Sequence, residues 1–251
     1  MDISALVLTR DEEGNIARCL ASLDFCREIT VVDSGSIDRT REIARDFTPK
    51  VFDHKFEGWG PQRNWGIEQC SHDWILVLDA DEQISSELKN EIIHLKPEEI
   101  IKGYYINRLT QYMGRWIKHS GWYPQYVLRL FDRRYAAYNN AAVHESVEIR
   151  AAAAKLQSPI LHYSYRDLSH HLRKIDDYTG KRAAERYAEG RRFSPVKTVF
   201  APPGEFLKKY LLKLGILDGI PGFMVAVTSA YYVFLKQAKL YEYQKVRERI
   251  E

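Results

Sequence analysis

Four residues, Asp79-Ala80-Asp81-Glu82, follow directly on the apolar run Ile75-Leu76-Val77-Leu78. Carboxylates at this spacing suit a hard cation such as Mg2+ or Mn2+, which prefers oxygen ligands and often takes only one or two protein carboxylates when phosphates complete its shell. Alternate side chains of extended chain share a face, so Asp79 and Asp81 are expected to address one site. The plainer reading is a solvated turn that stops a strand. A lone Asp-x-Asp is common on loops, and only its place at the end of a core strand lifts it above that background. Two more polar clusters lie upstream, Thr9-Arg10-Asp11-Glu12-Glu13 and Asp33-Ser34-Gly35-Ser36-Ile37-Asp38. Asp33 and Asp38 offer acceptors to the hydrogen-bond donors of a nucleoside, and the first cluster would form the adjacent wall. Each cluster alone reads equally well as a helix cap with an acidic first turn. Three of them ending successive core strands are harder to explain by capping alone.

The elements that must position these groups alternate. Ile3 to Thr9 reads as a strand, Glu13 to Leu23 as a helix with Ile16, Leu20 and Leu23 on one face, and Ile29 to Val32 as a second strand. Asp38 to Phe47 reads as a helix, Val51-Phe52 as a short strand, Pro61 as the opening of another helix, and Trp74 to Leu78 as a strand buried on both faces. This is the β-α-β-α pattern of a mostly parallel sheet with helices on both faces, whose ligands bind beyond the carboxyl ends of the strands. Asp33 and Asp79 therefore fall where a ligand would sit. Further strands are expected at Tyr104 to Leu109 and Val127 to Phe131, with an aromatic-rich connection between them, and His144 to Ile149 reads as extended. From about Leu168 the chain turns helical and basic. The expected division is an α/β domain over 1–167 and a helical, basic extension over 168–251.

With 45% apolar and 28% charged residues, the chain has an ordinary globular composition. Its formal charge of +3 is too small to indicate nucleic acid. Three cysteines, Cys19, Cys26 and Cys70, show no metal-ligand spacing and argue for reduced thiols in a cytoplasmic setting. The first residues carry no basic segment before a long apolar one, so no signal peptide is expected.

Taken in order, Leu8-Thr9-Arg10-Asp11-Glu12-Glu13, Val31-Val32-Asp33-Ser34-Gly35-Ser36-Ile37-Asp38-Arg39-Thr40, Gly60 with Arg63-Asn64, and Leu78-Asp79-Ala80-Asp81-Glu82 resemble glycosyltransferase family 2. An ordered set is far more specific than any one motif. One departure is Asp11, where many members carry Asn. The second half is similar to a narrower branch, the bacterial lipopolysaccharide-core glucosyltransferases, through Trp122-Tyr123-Pro124, Arg129-Leu130-Phe131, Val143-His144-Glu145, His162-Tyr163-Ser164-Tyr165, Lys174 with Tyr178, and the Asp218-Gly219 and Gly222-Phe223 pairs.

The resemblance implies a GT-A fold and an inverting transfer of a hexose, glucose from UDP-glucose, to a hydroxyl of a cell-envelope glycan or lipid-linked acceptor. It implies that Asp81 holds Mg2+ or Mn2+ at the diphosphate, with His162 completing the shell or touching phosphate. Asp79 would lie near the ribose, and Thr9, Glu12, Asp33, Asp38 and Arg63 would form the nucleotide pocket. Lys174 and Tyr178 would reach the diphosphate, Trp122 and Tyr123 would stack on sugar or acceptor, and Arg129 would bind phosphate or acceptor. Glu145 would be the general base, although the alternation Val143-His144-Glu145-Ser146-Val147-Glu148 on its own reads as a strand with Glu145 in water. For Trp122, Tyr123, Arg129, Lys174 and His162 the plainer readings are core packing, an edge-strand charge, a solvated helix face and a structural histidine.

Phe206 to Leu217 reads as an amphipathic helix with Lys208, Lys209 and Lys213 on one side, suited to an anionic membrane surface; the plainer reading is packing onto the catalytic domain or at a subunit interface with the lysines in water. Gly219 to Leu235 carries no charge, but its 17 positions include Pro221 and sit at the short limit of a span. A peripheral enzyme on the cytoplasmic face of the plasma membrane is the expected setting. A sugar-nucleotide pyrophosphorylase would want a glycine-rich loop after the first strand, where this chain is acidic. A phosphatase with an aspartyl nucleophile would want its acidic pair after an early strand, and a non-catalytic scaffold would not need the intact acidic set.

Overall fold

The computed structural model describes residues 1–96, 99–139 and 146–247. Its contacts divide the chain into two compact units, one formed by 1–109 with 124–163, the other by 110–123 with 164–251.

The first unit begins β1 (Ile3–Thr9), α1 (Ile16–Ala21), β2 (Glu28–Asp33), α2 (Thr40–Arg45), β3 (Val51–Asp53), α3 (Trp59–Glu68) and β4 (Trp74–Asp79). There follow β5 (Glu82–Ile84), α4 (Ser86–Ile93), β6 (Ile101–Tyr112), whose last three residues belong to the second unit, β7 (Arg115–Trp116), also of the second unit, and then, in the first unit, β8 (Tyr126–Asp132), β9 (Ala136–Tyr138), β10 (Val147–Ile149) and β11 (Ala152–His162). The strand order is β3-β2-β1-β4-β8-β6-β11-β5, with β7 beside β6 and β9 paired with β10 in a separate ribbon. β3, β2, β1 and β4 run parallel, whereas β8 enters antiparallel between β4 and β6. Every residue of β1 is buried, as a strand covered on both faces requires. One core layer contains Val7, Leu20, Val31 and Leu78, and the other contains Leu6, Val32, Val77 and Phe131.

The helices expected over Glu13–Leu23 and Asp38–Phe47 are present but shorter, and α3 begins at Trp59, two residues before Pro61. Residues 10–15 and 34–39 stay outside helix because their backbone groups bond to side chains across the two loops, a local competition that polar residues win over a helical turn. β5, α4 and the eleven-residue β11 were not anticipated; Ala151 to Ala154 gives no strand signal, and its pairing comes from neighbouring strands. Tyr126 to Asp132 is an interior strand, so Arg129 is not the charge of an edge strand.

The second unit contains α5 (Leu168–Ala188), α6 (Pro195–Leu207) and α7 (Gly219–Arg247). Asp167 caps α5 by accepting from His170 N at 2.6 Å, and Ser194 caps α6 by accepting from Lys197 N at 3.3 Å. The amphipathic helix expected over 206–217 does not form as one element. α6 ends at Leu207, a π turn covers Lys208–Leu212, Leu214 takes a left-handed backbone with φ of 54°, and a 3-10 turn covers Gly215–Asp218. Pro221 sits in the first turn of α7, where a missing N–H costs nothing.

α3 lies flush on β1 and β2. A Cβ at Gly66 would fall 2.7 Å from Leu6 Cδ1 and 3.1 Å from Val32 Cγ2, both fully buried. Gly66→Val is expected to lower stability by about 1–3 kcal/mol through overpacking, read as a fall in the denaturation midpoint with the secondary-structure content retained.

Candidate active site

β2, β1 and β4 are adjacent and end together. Thr9 pairs with Asp33 and Leu8 with Asp79 in the parallel registers. Backbone bonds stitch the loops beyond them, Ser34 N to Thr9 O at 3.0 Å and Ala80 N to Leu8 O at 3.0 Å. The crevice where strand order reverses lies between β1 and β4, the usual ligand position of an open α/β sheet.

The first two loops spend most of their polar groups on each other. Asp33 is fully buried and accepts from Gly35 N at 3.0 Å, from Ser36 N at 2.8 Å and from the Ser36 hydroxyl. Asp38 accepts from Thr40 N at 3.0 Å and from Glu13 N at 3.1 Å, and these bonds hold its carboxyl below the usual range even though burial opposes the shift. Both aspartates thus shape loops, although neither α1 nor α2 has a side-chain cap at its N-terminus. Glu12 accepts from Asn15 Nδ2 at 2.7 Å, while its own N–H donates to Thr40 Oγ1 at 2.8 Å. Asp11 has φ of 52° and accepts from Ile37 N at 2.9 Å. Asn and Asp tolerate that left-handed conformation best among residues with a side chain, so Asp here in place of Asn preserves the turn. Thr9 is buried, and its hydroxyl has no hydrogen-bond partner among the described residues.

The turn after β4 carries the strongest electrostatics. Asp79 Oδ1 accepts from Arg63 at 2.9 Å and Asp79 Oδ2 from Arg129 at 2.9 Å. Arg129 also donates to Glu82 Oε1 at 2.8 Å, and Arg108 lies 3.5 Å from the same carboxylate. Glu82 in turn accepts from Asp79 N at 3.0 Å, closing the turn on itself. Burial alone would raise the Asp79 pKa, but the two guanidiniums hold it far below the usual carboxylate range. Burial likewise disfavours the Arg129 cation, and Glu82 and Asp79 more than reverse that. Arg63 comes from α3 with its guanidinium 5.2 Å from the centre of the Tyr138 ring, and Asn64 fixes the same helix by a two-way bond with the Tyr138 backbone, at 2.8 and 3.0 Å. Arg129, expected to meet phosphate or acceptor, is instead buried within this lattice.

Asp81 faces elsewhere. Its carboxylate lies 3.3 Å from His162 Nε2, and Asp81 O accepts from Tyr163 N at 2.8 Å. β11 makes this possible by pairing antiparallel with β5, which sets His162 opposite Glu82. Residues 80 and 81 form a turn rather than extended chain, so the expected alternation fails and Asp79 and Asp81 have different partners. Among the described residues no three His, Cys, Asp or Glu side chains form a cage for a metal. A partly exposed carboxylate and a buried imidazole at 3.3 Å fit a divalent cation that takes its remaining ligands from a diphosphate.

The remaining expected residues belong to the second unit or lie outside the described ones. Trp122 stacks on Tyr165 at 5.6 Å and meets Tyr112 edge-on at 5.6 Å, so it packs within an aromatic cluster. His171 joins that cluster through Tyr112 Oη at 2.9 Å, and burial, aided by Lys174 and His170, lowers its pKa to about 4. Tyr123 is half-buried and Tyr178 exposed. Lys174 donates to Ser164 O at 2.9 Å and to Ser164 Oγ at 3.3 Å. Glu145 lies outside the described residues.

The sequence profile of glycosyl transferase family 2 matches residues 4–143. The chain belongs to that family. It is 29% identical to the lipopolysaccharide core biosynthesis glycosyltransferase LpsC of Rhizobium meliloti, over 99% of this chain and 95% of that one. It is 28% identical to an uncharacterized glycosyltransferase of Rickettsia typhi, over 96% of this chain and 87% of the other. Its fold is GT-A, as in the mannosyltransferase PcManGT of Pyrobaculum calidifontis, solved with GDP-Man and Mn2+ (TM-score 0.54, 14% identity, 95% of this chain and 86% of that one).

Removing one arm of the lattice leaves buried charge uncompensated. Arg129→Met is expected to cost about 3–5 kcal/mol, measured by denaturant unfolding. Because the folded pKa of Asp79 lies below its unfolded value, its contribution is present at neutral pH and is lost as pH falls below about 4. Stability of the wild type should decline through that range, and Asp79→Asn should flatten the slope.

Proposed function

We propose that this glycosyltransferase moves a hexose, glucose from UDP-glucose, to a hydroxyl of a lipopolysaccharide-core or other lipid-linked cell-envelope acceptor, with inversion at the anomeric carbon. The acceptor class is supported by near full-length likeness to a lipopolysaccharide core biosynthesis enzyme. A nucleotide-sugar donor and a divalent cation suit the fold, whose solved example carries GDP-Man and Mn2+. Such an acceptor would place the enzyme at the cytoplasmic face of the plasma membrane.

The reading rests chiefly on the Asp81–His162 pair at the carboxyl edge of β4. Asp81 and His162 would hold Mg2+ or Mn2+, which when bound supplies positive charge to the departing diphosphate. The chain's own groups do the rest. The lattice of Arg63, Arg129, Asp79 and Glu82 fixes the turn that carries Asp81, so that the carboxylate is preorganised before the donor arrives. The loops after β1 and β2 form the wall for the nucleoside and bring to it Thr9, whose hydroxyl has no hydrogen-bond partner among the described residues, and the partly exposed Glu12. The acceptor oxygen attacks the anomeric carbon as the bond to the diphosphate oxygen breaks. Glu145, assigned through the family resemblance, takes the acceptor's proton.

Asp81→Ala should abolish the Mn2+-dependent thermal stabilisation by UDP-glucose. Glu145→Gln should keep that stabilisation and lose transfer to extracted envelope lipid. Transfer by Glu145→Gln at the wild-type rate would remove Glu145 from the role of base.

A further inference from the structure

The bend between α6 and α7 places six large apolar side chains in water within ten residues. Leu211, Leu212, Leu214, Ile216, Leu217 and Ile220 are each at least half exposed, Leu212 at 78% and Ile220 at 75%. They are not the loose side chains of a slack loop. Gly222 lies so close to Gly215 that a Cβ would fall 2.0 Å from the Gly215 carbonyl oxygen, and a Cβ on Gly215 would fall 2.4 Å from Ser120 Oγ. Buried Asp218 accepts from His119 N at 2.8 Å, and its other oxygen lies 2.9 Å from His119 Nδ1. Ser120 N donates to Lys213 O at 2.8 Å, and Arg115 to Leu217 O at 3.0 Å. Leu214 is held left-handed, a conformation unfavourable for leucine, with half its surface in solvent. A rigid support thus presents an apolar knuckle outward, and contiguous apolar surface of this kind marks an interaction site.

Charge selects the occupant. Lys208 and Lys213 flank the leucines and are exposed, with Lys209 half-buried between them. The acids of the bend are Glu205, within reach of Lys208 and Lys209, and the buried Asp218. We propose that this knuckle inserts into the interfacial region of an anionic bilayer, its leucines among acyl chains and its lysines at lipid phosphates. A second copy fits less well, because a two-fold contact through this patch would set the same lysines against each other. Crossing the membrane fits less well too. Gly215–Lys245 is long and apolar enough to cross a bilayer, its most apolar stretch having a mean hydropathy of 1.3, yet Lys239 of α7 is tied to Asp176 of the strongly polar α5 at 2.6 Å. The helix also buries Thr228, Gln237 and Gln244. The exposed stripe Phe223, Val227, Tyr231 and Phe234 extends the same surface along α7 at helical spacing. The assignment deepens the lipid-linked acceptor reading and rests on it for its purpose.

The test uses the full chain with phosphatidylcholine vesicles, with and without phosphatidylglycerol, in a sedimentation assay. The wild type should bind the anionic vesicles and lose about tenfold or more in affinity on the neutral ones. The doubly substituted Leu212→Ser, Ile220→Ser chain and the Lys208→Glu, Lys213→Glu chain should each bind at least about tenfold more weakly. Both should keep the wild-type UDP-glucose stabilisation with Mn2+, which shows that they fold and isolates the knuckle from the donor site. Failure of the folded wild type to bind anionic vesicles overturns the proposal. So does a wild-type dimer by light scattering that the leucine variant dissolves while vesicle binding stays unchanged. Loss of donor stabilisation in the wild type would instead count against the transferase reading.

Discussion

Two buried guanidiniums gripping one carboxylate are the constraint on which the rest of the site depends. Arg63 reaches Asp79 from α3, and Arg129 reaches it from β8 while also holding Glu82. Charges taken out of water are tolerated only when opposite charges and hydrogen bonds replace the lost hydration. The grouping supplies opposite charge among its own members, although Arg129 Nε is buried with no hydrogen-bond partner among the described residues, and it joins a helix, a parallel strand, an antiparallel strand and the turn that carries Asp81. Asp81 needs no brace of its own because its backbone is fixed from both sides.

The same division of labour runs along the whole carboxyl edge of the sheet. Most polar groups there hold backbone: Asp33 the Gly35–Ser36 turn, Asp38 the start of α2, Ser36 and Thr40 the loop after β1. Asp81 and His162 instead pair with each other, at 3.3 Å. Rigid loops with few groups facing outward suit a ligand whose own phosphates supply much of the charge.

Much of this was legible in the sequence. Apolar runs ending in Asp33 and Asp79 located the parallel strands and their shared edge, because a strand buried on both faces must be apolar throughout. The ordered motifs gave the family. Element ends were less legible, since reciprocal bonds between loops separated by about twenty-five residues decide where α1 and α2 begin. β11 escaped because its pairing is long-range and its alanines carry no strand signature. The resemblance points Arg129 at phosphate or acceptor, but its own surroundings point inward: an arginine inside Val127-Leu128-Arg129-Leu130-Phe131 must find buried acid, and it finds Asp79 and Glu82. Gln62, which bridges Ser34 and His54 O, gave no signal beyond its position in a helix.

The antiparallel entry of β8 has a bearing on how such a chain can diversify. The parallel strands of the carboxyl edge and its last acidic motif all come from the first 82 residues, which invites a picture of a portable front half joined to interchangeable back halves. Arg129 contradicts that picture, since a front half alone would carry Asp79 and Glu82 with their principal counter-charge missing. A viable chimera must therefore join downstream of β8, or draw its replacement from a lineage that sets an arginine at the same register. The natural crossover point lies some fifty residues beyond the last acidic motif, where sequence similarity alone would not place it.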